Sequence, residues 1–246
     1  MRALEGKVAL VTGGSRGIGA ATARKLAEDG ADVALTYLSS RSKAEEVVAT
    51  METMGRRGMA IRADSRDASA IESAVARAVA HFGGLDILVN NAGVFPVGPF
   101  DRMPLEAFDE AVAVNMRAVF VASRAASAHM KNEGRIVTIG SNLAERVPAP
   151  GLSVYAATKA ALIGLTKGMA RDLGPRGITV NLVNPGPTDT DMNPENGPRA
   201  DVKKRAMAIP HFCKPEDVAG LVAWLASAKG RFVTGAVLTI DSGANA

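Results

Sequence analysis

A chain of 246 residues, 47% hydrophobic and 22% charged, has room for one large α/β domain or two small ones, and its balance excludes a disordered chain. The formal charge of +4 comes from scattered Lys and Arg, densest only at Arg56-Arg57 and Lys203-Lys204-Arg205, so no nucleic-acid surface is expected and at most a modest attraction for phosphorylated ligands remains. One cysteine, Cys213, excludes an intrachain disulfide, and His81, His129 and His211 lack ligand-like spacing, so no metal site is expected. The amino terminus leads straight into a strand-like segment, with no long leader-type apolar run and no later one approaching a membrane span. The expectation is a cytoplasmic protein without a membrane partner.

In chain order, short β-branched runs fall at Val8–Thr12, Val33–Tyr37, Ala60–Arg62, Ile87–Val89, Ile136–Ile139, Thr179–Val183 and Val237–Ile240. Helix-length amphipathic segments separate them at about 17–29, 41–54, 68–82, 105–131, 153–174 and 215–228. This alternation predicts an α/β fold, a doubly wound parallel sheet of seven strands with helices on both faces. No linker or repeat interrupts it, so one domain over 1–246 is expected, with ligands at the carboxyl ends of the strands. One segment breaks the rhythm: five prolines, Pro185, Pro187, Pro194, Pro198 and Pro210, mark a long loop, and 187–212 is read as a lid over the ligand edge.

After strand 1, Gly13, Gly17 and Gly19 stand on a G-x-x-x-G-x-G spacing with Ser15, Arg16 and Ile18, directly before a helix. Such a turn brings backbone amides and a helix amino terminus to a pyrophosphate, which predicts a dinucleotide. At the end of strand 2, where an NAD site usually carries a carboxylate, Tyr37 is followed by Leu38, Ser39, Ser40 and Arg41. With Arg16 these suit a 2′-phosphate, so NADP(H) is favoured over NAD(H); the alternative is that they are exposed helix-start residues. Asp64 and Ser65 follow strand 3, where Asp64 would meet an adenine amino group or cap the next helix. Asn90-Asn91-Ala92-Gly93 follows strand 4, small enough for close backbone approach to a ribose. Tyr155 and Lys159 lie four residues apart on a helix, so phenol and ammonium share a face, and Ser141 ends an apolar run upstream. A tyrosine titrates at roughly 10, so acid or base work near neutrality needs a neighbouring cation.

With these motifs, Asn115 and Pro185-Gly186 in order over essentially the full length, the chain resembles the short-chain dehydrogenase/reductase family, a Rossmann-type fold. Within it the arginine-bearing glycine turn resembles the 3-oxoacyl-(acyl-carrier-protein) reductase branch. The resemblance implies a hydride transfer between NADP(H) and a ketone, aldehyde or secondary alcohol. Tyr155 would be the general acid/base, and Lys159 would lower the Tyr155 pKa and hold the nicotinamide ribose. Ser141 would donate to the carbonyl oxygen, and Asn115 would hold a water that relays protons to the lysine. It also implies that Thr190 contacts the nicotinamide carboxamide, while Thr188 departs from the apolar residue common in the family. The segment Pro185–Asp191, with Val222–Ala226, is similar to a cyclic-di-GMP-binding homologue in the family, which supplies the alternative: a regulator that sequesters a signalling nucleotide.

Near the carbonyl site, Val94, Phe95, Asn142, Leu143, Arg146, Val147, Met192 and His211 make a mixed, mildly apolar set suited to small or medium ketones and aldehydes. Arg146 would meet an acidic substrate or face solvent. Small residues on the 153–174 helix suggest a subunit face. The family is commonly tetrameric through its fifth and sixth helices and last strand, so a homotetramer is expected.

Overall fold

Parallel strands covered on both faces read as near-continuous apolar runs, and β1 does: in Val8–Val11 all four side chains are buried. Successive side chains alternate across the sheet. Ala9 and Val11 pack with Leu26 of α1 (Gly17–Glu28), Val47 of α2 (Arg41–Thr53) and Val222 of α8 (Pro215–Ala226). Val8 and Leu10 face the other way, onto Val75 of α3 (Ala68–Phe82) and Val121 of α5 (Ala118–His129). Two helical layers result, one on each face.

The computed structural model describes residues 2–246. The remaining strands are β2 (Asp32–Tyr37), β3 (Gly58–Arg62), β4 (Leu85–Asn90), β5 (Met130–Ile139), β6 (Thr179–Pro185) and β7 (Val237–Ile240). All pair in parallel, in the order β3-β2-β1-β4-β5-β6-β7. The order reverses between β1 and β4, and the crevice at that switch point is where such sheets take ligands.

The expected helix over 105–131 is corrected by the structure. It runs as α4 (Leu105–Val112), a π turn (Ala113–Arg117) and α5, and β5 begins at Met130, inside the range expected to be helical. Between β5 and β6 lies α6 (Ser153–Leu173), and the proline-rich segment contains the short α7 (Ala200–Arg205). Parallel bridging of Thr188 to Cys213 and antiparallel bridging of Thr190 to Asn193 tie that segment down. Among the described residues no helix is long and apolar enough to cross a membrane, and no group of three or more His, Cys, Asp or Glu side chains is placed to hold a metal ion.

Candidate active site

The glycine turn after β1 is shaped by its neighbours in the sheet. Gly13 adopts φ +65°, and its amide donates to Thr36 Oγ1 at 3.0 Å. Thr12 Oγ1 accepts the amides of Asn91 and Ala92 at 3.0 and 3.1 Å, and Asn91 Nδ2 donates to the carbonyls of Thr12 and Gly13 at 2.9 and 3.0 Å. The strand-4 motif is thereby stitched to the strand-1 motif. A Cβ on Gly19 would lie 2.4 Å from Asn91 Nδ2, so only glycine lets α1 start this close. No side chain caps α1 after Arg16, nor α2 after Ser40, and these two helix starts flank the crevice with amides aimed outward. A bare-backbone cradle with two uncapped helix starts fits a dinucleotide's phosphates.

The cations around that cradle are already engaged. Arg41 donates through Nε to Glu45 Oε1 at 2.7 Å, and the hydrogen bond to Glu45 raises its pKa. Arg16 lies 3.9 Å from Asp191 of the proline-rich segment, and Lys43 lies 3.2 Å from the same carboxylate. Such exposed pairs are worth roughly 0–1 kcal/mol, weak enough for a phosphate to replace. The expected helix-capping option for Asp64 is corrected: Asp67 caps α3 by accepting the Ser69 amide at 2.8 Å. Asp64 instead forms a fork with Arg66, at 3.0 Å to Nε and 2.7 Å to Nη2, and Arg66's hydrogen bonds hold it below the usual carboxylate range.

At the carboxyl ends of β5 and β6 the polar residues converge. Ser141 and Lys159 are buried, and Lys159 Nζ donates to the Ile139 carbonyl at 2.8 Å and sits 5.8 Å from the Tyr155 ring centre. Phe95 packs edge-on against Tyr155 with ring centres 4.5 Å apart. Burial pushes the phenol up to about 12, opposed by its interaction with the Ser141 hydroxyl, and burial pulls Lys159 down to about 8. At the phenol, desolvation outweighs the hydrogen bond with Ser141.

Asn115, in the π turn, is held by three hydrogen bonds. Its Oδ1 accepts the Val94 amide at 2.9 Å, and its Nδ2 donates to the Val94 carbonyl at 3.0 Å and to Thr158 Oγ1 at 3.1 Å. Thr158 in turn donates to the Tyr155 carbonyl at 2.8 Å. The side chain clamps the loop after β4 to α6 rather than satisfying itself on its own helix. Wide turns of this kind leave backbone carbonyls free, and they recur at functional sites.

Comparison with known proteins decides the family. Residues 13–245 match the family model described as enoyl-(acyl carrier protein) reductase. The chain belongs to the short-chain dehydrogenase/reductase family of oxidoreductases. A short-chain dehydrogenase from Burkholderia cenocepacia J2315, solved in complex with NADP, is 59% identical with a TM-score of 0.98, covering 99% of this chain and 100% of that one. A cyclic-di-GMP-binding biofilm dispersal mediator protein of Escherichia coli (strain K12) is 45% identical over 98% of each chain. A 3-oxoacyl-(acyl-carrier-protein) reductase of Staphylococcus aureus (strain Mu50 / ATCC 700699) is 38% identical over 96% of this chain and 97% of that one.

As a short-chain dehydrogenase/reductase, the chain brings most of its sequence-predicted site residues to one edge. Gly13, Ser15, Arg16, Gly17, Ile18 and Gly19 line the β1–α1 turn, Asn91 and Ala92 face it from just after β4, and Gly93 lies next to Asn115 and Lys159. Pro185 ends β6, and the Gly186 amide donates to the Ile240 carbonyl at 2.9 Å. Thr188 is buried with its hydroxyl on the Gly186 carbonyl, while Thr190 lies over Gly17. Tyr37, Ser39, Ser40 and Arg41 sit at the β2 end, and Ser65 follows β3 beside Asp64. Arg146 donates to the Ala244 carbonyl at 2.8 Å, so its guanidinium is tied to the carboxy terminus rather than free at the mouth. Sequence reasoning missed Lys43, Asp191, Thr158 and Asn184. Their side chains matter only through neighbours remote in the chain, and no local motif announces them.

Proposed function

We propose that this chain is an NADP(H)-dependent reductase of small or medium ketones and aldehydes, with Tyr155 as the general acid/base. The observation that carries the reading is the convergence of Ser141, Tyr155 and Lys159 on the β5 and β6 ends, beside a glycine cradle with uncapped helix starts. Bound NADPH would supply the hydride. Gly13, Ser15, Gly17, Ile18 and Gly19 would hold its pyrophosphate, with Arg16, Ser39, Ser40, Arg41 and Lys43 at the 2′-phosphate. Asn91, Ala92, Gly93, Lys159, Pro185, Gly186, Thr188 and Thr190 would line the rest, with Tyr37, Asp64 and Ser65 toward the adenine.

Tyr155, titrating at about 12, keeps its proton at neutral pH and delivers it to the carbonyl oxygen. Ser141 donates a hydrogen bond to the same oxygen as negative charge develops there. Lys159, titrating at about 8, is still mostly an ammonium at pH 7 and favours the phenolate left behind. Tyr155→Phe removes the acid and keeps the ring, so turnover should fall by more than about a hundredfold while the NADPH dissociation constant, read by nucleotide fluorescence, stays within about twofold. Turnover within tenfold of wild type would sink the assignment.

The segment 187–212 serves in this reading as a lid, clasped to the cradle through Asp191. The competing reading, a regulator that sequesters cyclic-di-GMP, draws on the name of the Escherichia coli relative. The catalytic trio favours the enzyme, since a pure binding module has no need of it.

A further inference from the structure

Asn184, next to last in β6, has no exposed surface. Its Oδ1 accepts the backbone amide of Ser141 at 3.1 Å, and its Nδ2 donates to Glu145 Oε1 at 3.3 Å. The orientation of the amide is fixed by its partners: a peptide N–H can only donate, and a carboxylate can only accept. A Cβ on Gly140 would fall 2.0 Å from Asn184 Oδ1, so the residue before Ser141 is bare where this amide crosses. Gly140 itself donates to the Val183 carbonyl at 2.7 Å, bringing the two strand ends together. The Asn184 side chain therefore grips the turn 140–145 at both ends. Inside that turn Ser141 Oγ accepts the Leu143 amide at 3.1 Å, which sets the direction of the hydroxyl.

We propose that Asn184 is a positioning residue for the reductase reaction, holding Ser141 through its backbone amide so that the serine hydroxyl faces Tyr155 and the reacting carbonyl. This rests on the reductase reading above. Truncating Asn184 leaves the buried Ser141 amide without an acceptor and opens space beside Gly140, so the turn relaxes and the hydroxyl moves off line. The glycine cradle and the 2′-phosphate residues lie after β1 and β2, away from Asn184, and Gly186, the nearest cofactor-lining glycine, is held by its own amide on the Ile240 carbonyl at 2.9 Å, which predicts a loss mainly in kcat rather than in cofactor affinity. Glu145 is exposed and serves only as the outer anchor.

The test uses the full-length protein with two readouts, hydrogen exchange at the Ser141 amide and NADPH-linked turnover. In Asn184→Ala, exchange at Ser141 should speed up about tenfold or more, and kcat should fall about 10- to 100-fold with the KM for NADPH within about twofold. Combining it with Ser141→Ala should cost less than about threefold beyond Ser141→Ala alone, because both changes remove the same hydrogen bond to the carbonyl. The paired change Asn184→Asp with Glu145→Gln keeps the volume and an acceptor for the Ser141 amide, with the new amide at 145 as donor. It should restore kcat to within about threefold of Glu145→Gln alone. Unchanged exchange in Asn184→Ala, or fully additive losses with Ser141→Ala, would overturn the proposal. A wild type that reduces no carbonyl would overturn the reductase reading, while the exchange measurement would still decide whether Asn184 holds Ser141.

Discussion

Tyr155 and Lys159 show how a four-residue spacing acquires chemistry only from what surrounds it. Their shared helix face was legible in the sequence, but their surroundings were not, because Phe95 comes from the loop after β4 and Ile139 and Ser141 from the end of β5 and the residues just after it. Burial also gives the pair a signature in stability. An unfolded lysine titrates at about 10.4 and folded Lys159 at about 8, so between those values the unfolded chain holds the extra proton and stability rises with pH. The tyrosine acts oppositely at higher pH: folded Tyr155 titrates at about 12 against about 10 unfolded, so the native state holds the extra proton and stability falls above about pH 10. Lys159→Met should therefore lose an alkaline gain of about 2 kcal/mol that the wild type shows between pH 7 and 10 in urea unfolding. Parallel stability curves for the two proteins over that window would contradict a buried amine.

Among the elements, the seven strands were legible from short runs rich in β-branched and aliphatic residues alternating with helix-length segments. The break in the long helix was not. Ala113-Val114-Asn115-Met116-Arg117 has unremarkable helical propensity, and its widening goes with Asn115 reaching Val94 and Thr158, contacts that exist only once β4 and α6 are in place. The start of β5 at Met130 was hidden likewise, since its first pairing, Met130 with Leu85, is separated by a register shift from the regular ladder at Arg135. The α4–α5 run also leaves Leu105, Phe108, Met116 and Phe120 exposed, and Trp224 and Phe232 stand exposed on α8 and just before β7. Exposed apolar side chains of this kind are what the homotetramer we propose would cover, so light scattering should return four times the 25.4 kDa chain mass. A monomer mass would remove that proposal.

For the whole molecule, strand order decides where the site forms. Placing β1 beside β4, and β5 beside β6, puts the nucleotide cradle and the Ser141–Tyr155–Lys159 group on one edge, an arrangement foreseeable from the doubly wound pattern. The stitches across that edge were out of reach of sequence reasoning: Thr12 to residues 91 and 92, Asn184 to Ser141, and Asp191 to Arg16 and Lys43 each join segments far apart in the chain. They join the cradle and the Ser141–Tyr155–Lys159 group across one edge, which the reductase reading uses as a catalytic site and the competing reading as a surface for holding a nucleotide. The most direct measurement of that difference is NADPH consumption by the wild-type protein over a panel of ketones and aldehydes, beside calorimetry with cyclic dinucleotides. Steady NADPH oxidation with at least one carbonyl and no cyclic dinucleotide binding is the predicted result; tight cyclic dinucleotide binding with no turnover on any carbonyl would contradict it.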